Sequence, residues 1–293
     1  MEENMKESRG YKIFKVFNTI LMIIVVLLTL YPFLYLVAQS FSSEAAIYSG
    51  KVTFFPVDFN IDTYKSIIRQ GDFIGYYKNT ILYAISGTII SLFGTAILAY
   101  PLSKPYLRLN KFFTPFVIFT MYFSGGLIPN FVLVNALGLR NTIWAMLIPG
   151  AISTYFVLLM KAFFANLPQE LEEAAAIDGM GTFGIFTKIV LPLSKPIMST
   201  MVLFYASGLW GNWFTPFIYF DKKELWPVAL YLRQIIYGAQ STNELSAGFE
   251  ETAGIAASVK SASMVLMALP IICVYPFIQK YFVQGMMLGS VKG

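Results

Sequence analysis

Histidine is absent from the 293 residues, and Cys273 is the only cysteine. The chain therefore cannot form an internal disulfide, a Cys/His zinc site, or a Ser-His or Cys-His catalytic pair. Charge is scarce as well. Asp, Glu, Lys and Arg make up 13% of the residues against 57% hydrophobic ones, which argues against an ordinary soluble domain and for a membrane protein. There is no G-x-x-x-x-G-K-[ST] phosphate loop, since Gly50-Lys51 lacks both the upstream glycine and the following hydroxyl residue. Internal repeats and low-complexity segments are also missing.

What is present is a set of long charge-free intervals: 16–43, 79–103, 112–139, 141–160, 196–220 and 261–279. Each can cross a bilayer core of about 30 Å as a helix of about 20 residues, so the expected fold class is an all-α membrane protein with six transmembrane helices. The run from Val16 to Ala38 is too long for a signal peptide and has no convincing small-residue cleavage site, so it is read as the first span, kinked at Pro32. With both termini placed in the cytoplasm, the inner segments hold twelve of the 21 Lys and Arg but only seven of the 16 acids. The net charge of +5 thus reads as positive-inside topology, not as a nucleic-acid surface.

On this layout residues 1–15 are a cytoplasmic tail, 16–282 a six-span domain, and 283–293 a second cytoplasmic tail. External loops occupy 39–78, with a short amphipathic helix near Asp62 to Gln70, and 221–260. Gly87, Gly94, Ser86 and Ser91 give the second span the small residues that let helices approach closely in lipid. The third span is interrupted at Ser124-Gly125-Gly126 and Pro129-Asn130. Irregular backbone at membrane depth is tolerated only against protein or a watery cavity, so Tyr122 and Asn130 are pathway candidates, an ordinary kinked packing helix being the alternative. Tyr205, Trp210, Asn212 and Trp213 on the fifth span could hold a sugar by ring faces and amides, or anchor the chain at the membrane interface. Cys273 reads as packing.

Between the fourth and fifth spans lies the longest polar-rich stretch that looks built to fold, residues 166–196. Pro168 suits a first helical turn with Asn166 or Leu167 as cap, and Glu170, Glu172 and Glu173 sit near the positive end of that helix. Leu171, Ala174, Ala175 and Asp178 make one narrow face of mostly small residues, with Glu172, Glu173 and Ala176 beside or opposite it. Gly179 and Gly181 stop the helix, Thr182 can cap a second one reaching Ile189, and Pro192 separates that helix from the next span. The result is a helix-turn-helix knuckle.

Glu173-Ala174-Ala175, then Gly179, then Ile189-x-Leu191-Pro192 resembles the EAA loop of ATP-binding-cassette (ABC) importer permeases, with all seven positions filled. Six spans, a long loop before the last one, and the ending Val291-Lys292-Gly293 extend the resemblance over essentially the whole chain, to sugar-type permeases of the MetI-like fold related to the smaller membrane subunit of the maltose transporter. Tyr122 to Pro129 and Gly285 to Gly293 resemble the branch serving oligosaccharides and polysaccharide fragments, uronate-containing ones among them. No arginine cluster in the spans marks an anionic substrate.

The resemblance implies a multi-pass subunit of the bacterial cytoplasmic membrane, lying in lipid and moving a sugar or oligosaccharide inward. Its partners would be a second homologous permease, two ATPase subunits that bind the ATP and Mg, and an extracytoplasmic solute-binding protein. The chain itself would hold no cofactor and catalyse nothing. The resemblance assigns Glu173, Ala174, Ala175, Gly179, Ile189, Leu191, Pro192, Val291, Lys292 and Gly293 to the ATPase interface. It gives Tyr237, Gly238, Gln240 and Asn243, by loop position alone, to the binding protein. No proposed span carries a charged residue, so a stand-alone secondary transporter, the alternative, lacks an evident motor. A membrane enzyme or scaffold lacks a polar catalytic cluster.

Overall fold

The computed structural model describes residues 9–108, 110–245 and 250–290, the side chains of 242–254, 275 and 277–290 excepted. The chain divides into two compact units, one of residues 1–70 with 234–266 and one of 71–233 with 267–293.

In the first unit α1 (Arg9–Ser40) is a 32-residue helix whose most apolar window is wholly unburied, Ala38 and Ser40 near its end being its buried residues. Pro32 lies inside it. α2 (Glu44–Tyr48) is capped by the Ser43 side chain, and α3 (Asp62–Arg69) occupies the expected amphipathic stretch. Ala38, Ala46, Ile47 and Val52 form a small core, and Phe41 stacks between Phe59 and Tyr64.

The second unit is built around α4 (Phe73–Leu102), which begins six residues before the charge-free interval that marks it in the sequence and so takes in Lys78. Asp72 caps it, accepting from the Gly75 N–H at 3.0 Å. Its buried positions include Thr80, Ala84, Thr88, Ser91, Thr95, Ala99 and Leu102, spaced by threes and fours as one helical stripe. Small residues along that stripe let α4 pack closely against several of the unit's other helices. Residues 112–139 are not one straight span. α5 (Asn110–Tyr122) and α6 (Leu127–Ala136) meet at 111°, because Gly126 at φ +86° turns the chain where no other side chain fits easily.

The expected fourth span is broken too. α7 (Trp144–Leu147) is a single turn, Pro149 and Gly150 interrupt the helix, and α8 (Thr154–Ala165) covers only 12 residues. That is about 18 Å at 1.5 Å per residue, less than a bilayer core.

α9 (Gln169–Ile177) follows, with Pro168 at the cap position rather than in the first turn. Gly179 at φ +82° closes it: the Gly179 N–H donates to Ala176 O and the Met180 N–H to Ala175 O, a Schellman stop. α10 (Thr182–Ile185) starts at Thr182 with Gly181 as its cap, and Thr182 caps nothing. The helix then widens into a π-helical turn over Phe186–Val190 and runs on as α11 (Leu191–Leu193), so it continues through Pro192 instead of ending at Ile189. Proline is accepted there because its missing N–H falls at the first turn of α11. The break comes at Ser194, where the direction changes by 80° into α12 (Lys195–Trp210).

After Gly211 a short α13 (Phe214–Tyr219) precedes α14 (Val228–Leu245) and α15 (Glu250–Ser290). The interval 221–260, expected as a loop, is therefore largely helical. Val228 to Leu232 is an apolar run buried at every position, which supports helix and not loop. Among the described residues three helices are long and apolar enough to cross a membrane, or five if each bent pair counts as one crossing.

Two cores stack along α4. One joins Ala96, Ala99 and Tyr100 to Val157, Met160 and Phe164 of α8, Ala175 of α9 and Met201 of α12. The other joins Tyr83 to Val134, Met146, Leu147, Tyr219 and Phe220.

Candidate functional site

A cavity of about 650 Å³ opens beside the second core. α6 contributes Leu127, Asn130 and Leu133, the broken stretch after α7 contributes Pro149, Gly150 and Ser153, and α12 with α13 contributes Phe204, Tyr205, Gly208, Phe214, Thr215 and Tyr219. The irregular segments expose backbone polar groups to a cavity, where such backbone is tolerated. The lining mixes aromatic and aliphatic surface with Ser91, Asn130, Ser153, Tyr205, Asn212 and Thr215, and no charged residue lines it.

At one end of the cavity Phe156 stacks on Phe204, ring centroids 5.5 Å apart, and meets Tyr205 edge-on at 4.9 Å. The Tyr205 hydroxyl bonds Thr95 Oγ1 at 2.6 Å and accepts from the Ser153 N–H at 3.3 Å. It thereby ties α4, α8 and α12 together and offers the cavity a ring face more than a free hydroxyl. Asn212 accepts from the Thr215 N–H at 3.1 Å and donates to Thr215 Oγ1 at 3.0 Å, starting α13 while still facing the cavity.

Of the six pathway residues read from the sequence, Asn130, Tyr205 and Asn212 line this space. The other three lie elsewhere. Tyr122 is 78% exposed beside the α5–α6 bend. Trp210 donates its Nε1–H to Met267 O at 3.1 Å and borders a separate apolar crevice with Ala84, Ala206 and Pro270. Trp213 lies beneath the Arg233 guanidinium, 3.2 Å from its ring centre. Sequence reasoning overlooked Ser91, Ser153, Phe156, Phe204 and Thr215; their signal was the Pro149-Gly150 break and the small-residue face of α4.

Near the cavity Asn141 holds an αL conformation, φ +57°, and clasps Asp221. Its amide donates to Asp221 Oδ2 at 2.7 Å and accepts the Asp221 N–H at 2.7 Å, and Arg140 donates to Oδ1 at 2.9 Å. The Asn141 hydrogen bond, reinforced by the Arg140 charge, holds the Asp221 carboxyl below its ordinary range.

The knuckle presents a second kind of surface. Ala175 is buried in the core, whereas Leu171, Ala174 and Asp178, expected on the same face, are exposed together with Glu173. The inward face is instead Glu172 with Ala175, one turn apart. Ile177 at 87% and Phe183 at 75% exposure flank Gly179 as unburied apolar surface. Ile189 and Leu191 pack against the core, and Pro192 is exposed. Tyr237, Gly238 and Gln240 lie exposed on α14, while the Asn243 side chain and Val291, Lys292 and Gly293 lie outside the described residues.

Residues 96–288 match the family described as "Binding-protein-dependent transport system inner membrane component". The chain belongs to this family. It is a permease subunit of a binding-protein-dependent ABC importer, a membrane protein that works with other subunits and is not itself an enzyme. Among the permease's relatives, "Protein LplC" of Bacillus subtilis is 38% identical, the match covering 99% of this chain and 98% of that one. The "Polygalacturonan/rhamnogalacturonan transport system permease protein YtcP" of the same organism is also 38% identical, over 91% and 94%. A chain of a bacterial ABC transporter involved in the import of the acidic polysaccharide alginate superposes with a TM-score of 0.81 at 33% identity, covering 94% of the permease and 99% of that chain.

Proposed function

We propose that the permease passes a sugar or oligosaccharide inward across the bacterial cytoplasmic membrane, and that fragments of uronate-containing polysaccharides are its substrates. The carrying observation is the 650 Å³ cavity, whose aromatic faces and short polar side chains suit the alternating apolar and hydroxylated surfaces of a saccharide. Relatives named for polygalacturonan, rhamnogalacturonan and alginate transport favour the acidic class.

In this reading α1, α4, the α5–α6 pair, α7 with α8, α12 with α13, and the apolar part of α15 are six crossings, with both termini cytoplasmic. A second permease completes the path, and two ATPase subunits bind ATP and Mg. One ATPase grips α9 around Glu173, Ala174, Ala175 and Gly179, with Ile189, Leu191 and Pro192 supporting the knuckle and Val291 to Gly293 adding a second contact. The exposed Ile177 and Phe183 supply the apolar surface such a grip would cover. An extracytoplasmic binding protein delivers the solute near Tyr237, Gly238, Gln240 and Asn243.

Gly208 tests the reading. It lines the cavity, and a Cβ added there meets nothing within 4 Å, so the side chain of Gly208→Trp starts into open space and takes up part of the cavity. Uptake of labelled oligogalacturonides by the complete transporter should fall at least about tenfold with insertion and assembly intact, since the indole would occupy space the solute needs. Unchanged uptake would remove the cavity from the path, and uptake of maltodextrin in preference to oligogalacturonide would overturn the acidic class.

A further inference from the structure

Lys104, at the end of α4, and Glu172, on α9, are 68 residues apart in sequence and meet as a buried ion pair, Nζ to Oε1 at 2.5 Å. Their side chains are only 7% and 15% exposed. The second carboxylate oxygen of Glu172 accepts from the Tyr100 hydroxyl at 3.0 Å, and the Lys104 ammonium lies 4.7 Å from the centre of the Tyr100 ring. One carboxylate is thus held by Tyr100, in the last turn of α4, and by Lys104, two residues past its end.

The turn that aims Lys104 is itself fixed. Asn110 donates to the carbonyls of Pro101, Leu102 and Lys104, at 3.1, 3.3 and 2.6 Å, and Ser103 Oγ donates to Tyr100 O at 2.6 Å. Tyr100 packs against Phe186 of the π-helical turn and Phe164 of α8. A charged pair in such surroundings is a poor source of net stability, because desolvation offsets much of the attraction, but losing either partner strands an uncompensated charge. What the pair provides is a fixed register between two helices.

α9 follows α8 closely in the chain and reaches α12 through α10 and α11, so covalent continuity alone would pass a displacement of α9 to its neighbours on either side. α4 has no such connection to α9, yet it packs against both α8 and α12 and carries Ser91, which faces the cavity, and Thr95, which bonds Tyr205 at its end. We propose that Lys104 and Glu172, closed by Tyr100, are positioning residues of the coupling step, a strut that makes α4 move with α9 and so carries the motion of α9 to the cavity. This rests on the reading of α9 as the segment an ATPase grips. Displacement enters at Glu172, passes to Lys104 and Tyr100, and reaches the Thr95–Tyr205 contact along one rigid helix.

The test uses the assembled transporter in proteoliposomes and reads ATP hydrolysed per solute imported, a ratio that a merely structural role would leave unchanged in whatever complex survives. Lys104→Met removes the charge and keeps the stem, and Glu172→Gln keeps an acceptor for Tyr100. Each should still hydrolyse ATP but raise the ratio about fivefold or more, the low end of ordinary coupling energies. The exchange Lys104→Glu with Glu172→Lys should bring it back toward the parent value. Singles that import at the parent ratio overturn the strut. Should the singles fail to insert, the exchange decides: an inserted complex with the parent ratio supports the strut, and one with a raised ratio overturns it. Ile177→Glu, at an exposed position of α9 outside the strut, is measured alongside and separates the two ideas. Loss of the ATPase from the complex upholds the grip on α9, whereas retention overturns the grip and the strut with it.

Discussion

At the scale of single residues, the clasp of Asn141 on Asp221 shows how one side chain sets both a conformation and a charge. Asparagine tolerates the αL backbone at position 141, and its amide then satisfies Asp221 from two sides. Because the Asp221 carboxyl is held below its ordinary value of 3.8, the clasp is favoured while ionised and is lost only as pH falls through that lowered value. The clasp should therefore hold unchanged between about pH 5 and 8 and open only in acid below the ordinary carboxylate range, read as the hydrogen-exchange rate of the Asp221 amide corrected for its intrinsic pH dependence. Asn141→Ala should raise the rate several-fold throughout; a rise centred near pH 6 would contradict the assignment to Asp221. None of this was legible in the sequence, because residues 80 apart share no local pattern, and the Lys104–Glu172 pair was hidden for the same reason. Gly179 was legible as the helix stop, since it acts through its own helix turn.

At the scale of elements, legibility followed continuity. Unbroken charge-free runs announced α1 and α4, and the glycine pair of the third span marked the α5–α6 bend without giving its angle. Pro149-Gly150 and Gly211 carried the same signal inside runs whose hydropathy was uniform, and they were read as continuous helix. The reason is physical: average hydropathy reports what a segment is dissolved in, while breaks depend on which backbone groups a cavity can receive. α4 is the element on which the others converge, and Gly87 marks its closest approach. A Cβ there would sit 2.6 Å from a terminal methyl of Leu209 and 3.2 Å from one of Leu147. Gly87→Ala asks only those flexible ends to shift, but Gly87→Leu must part α4 from α12 and α7, at a cost of about 1–3 kcal/mol. Thermal unfolding in detergent should show a clear drop for leucine and little change for alanine, and equal behaviour of the two would mean that the approach is looser than the structure has it.

At the scale of the whole molecule, the question is where the work of transport comes from. Among the described residues the cavity has polar handles but no Asp, Glu, Lys or Arg in its lining, and the buried Lys104–Glu172 pair lies at the α9 end of α4, away from the cavity. A proton- or sodium-driven carrier needs an ionisable group or a dedicated ion site where the solute passes, so that binding one changes the affinity for the other. Here the places where a displacement of α9 would be taken up are mechanical: the bend at Ser194, the π-helical turn, and the contact of α9 through Glu172. Uptake by the complete transporter should therefore continue when a protonophore or sodium ionophore collapses the ion gradients with ATP held constant. It should stop when ATP is removed with the gradients intact. Uptake that followed the gradient and ignored ATP would return the cavity to the class of secondary carriers and leave the exposed surface of α9 without a purpose.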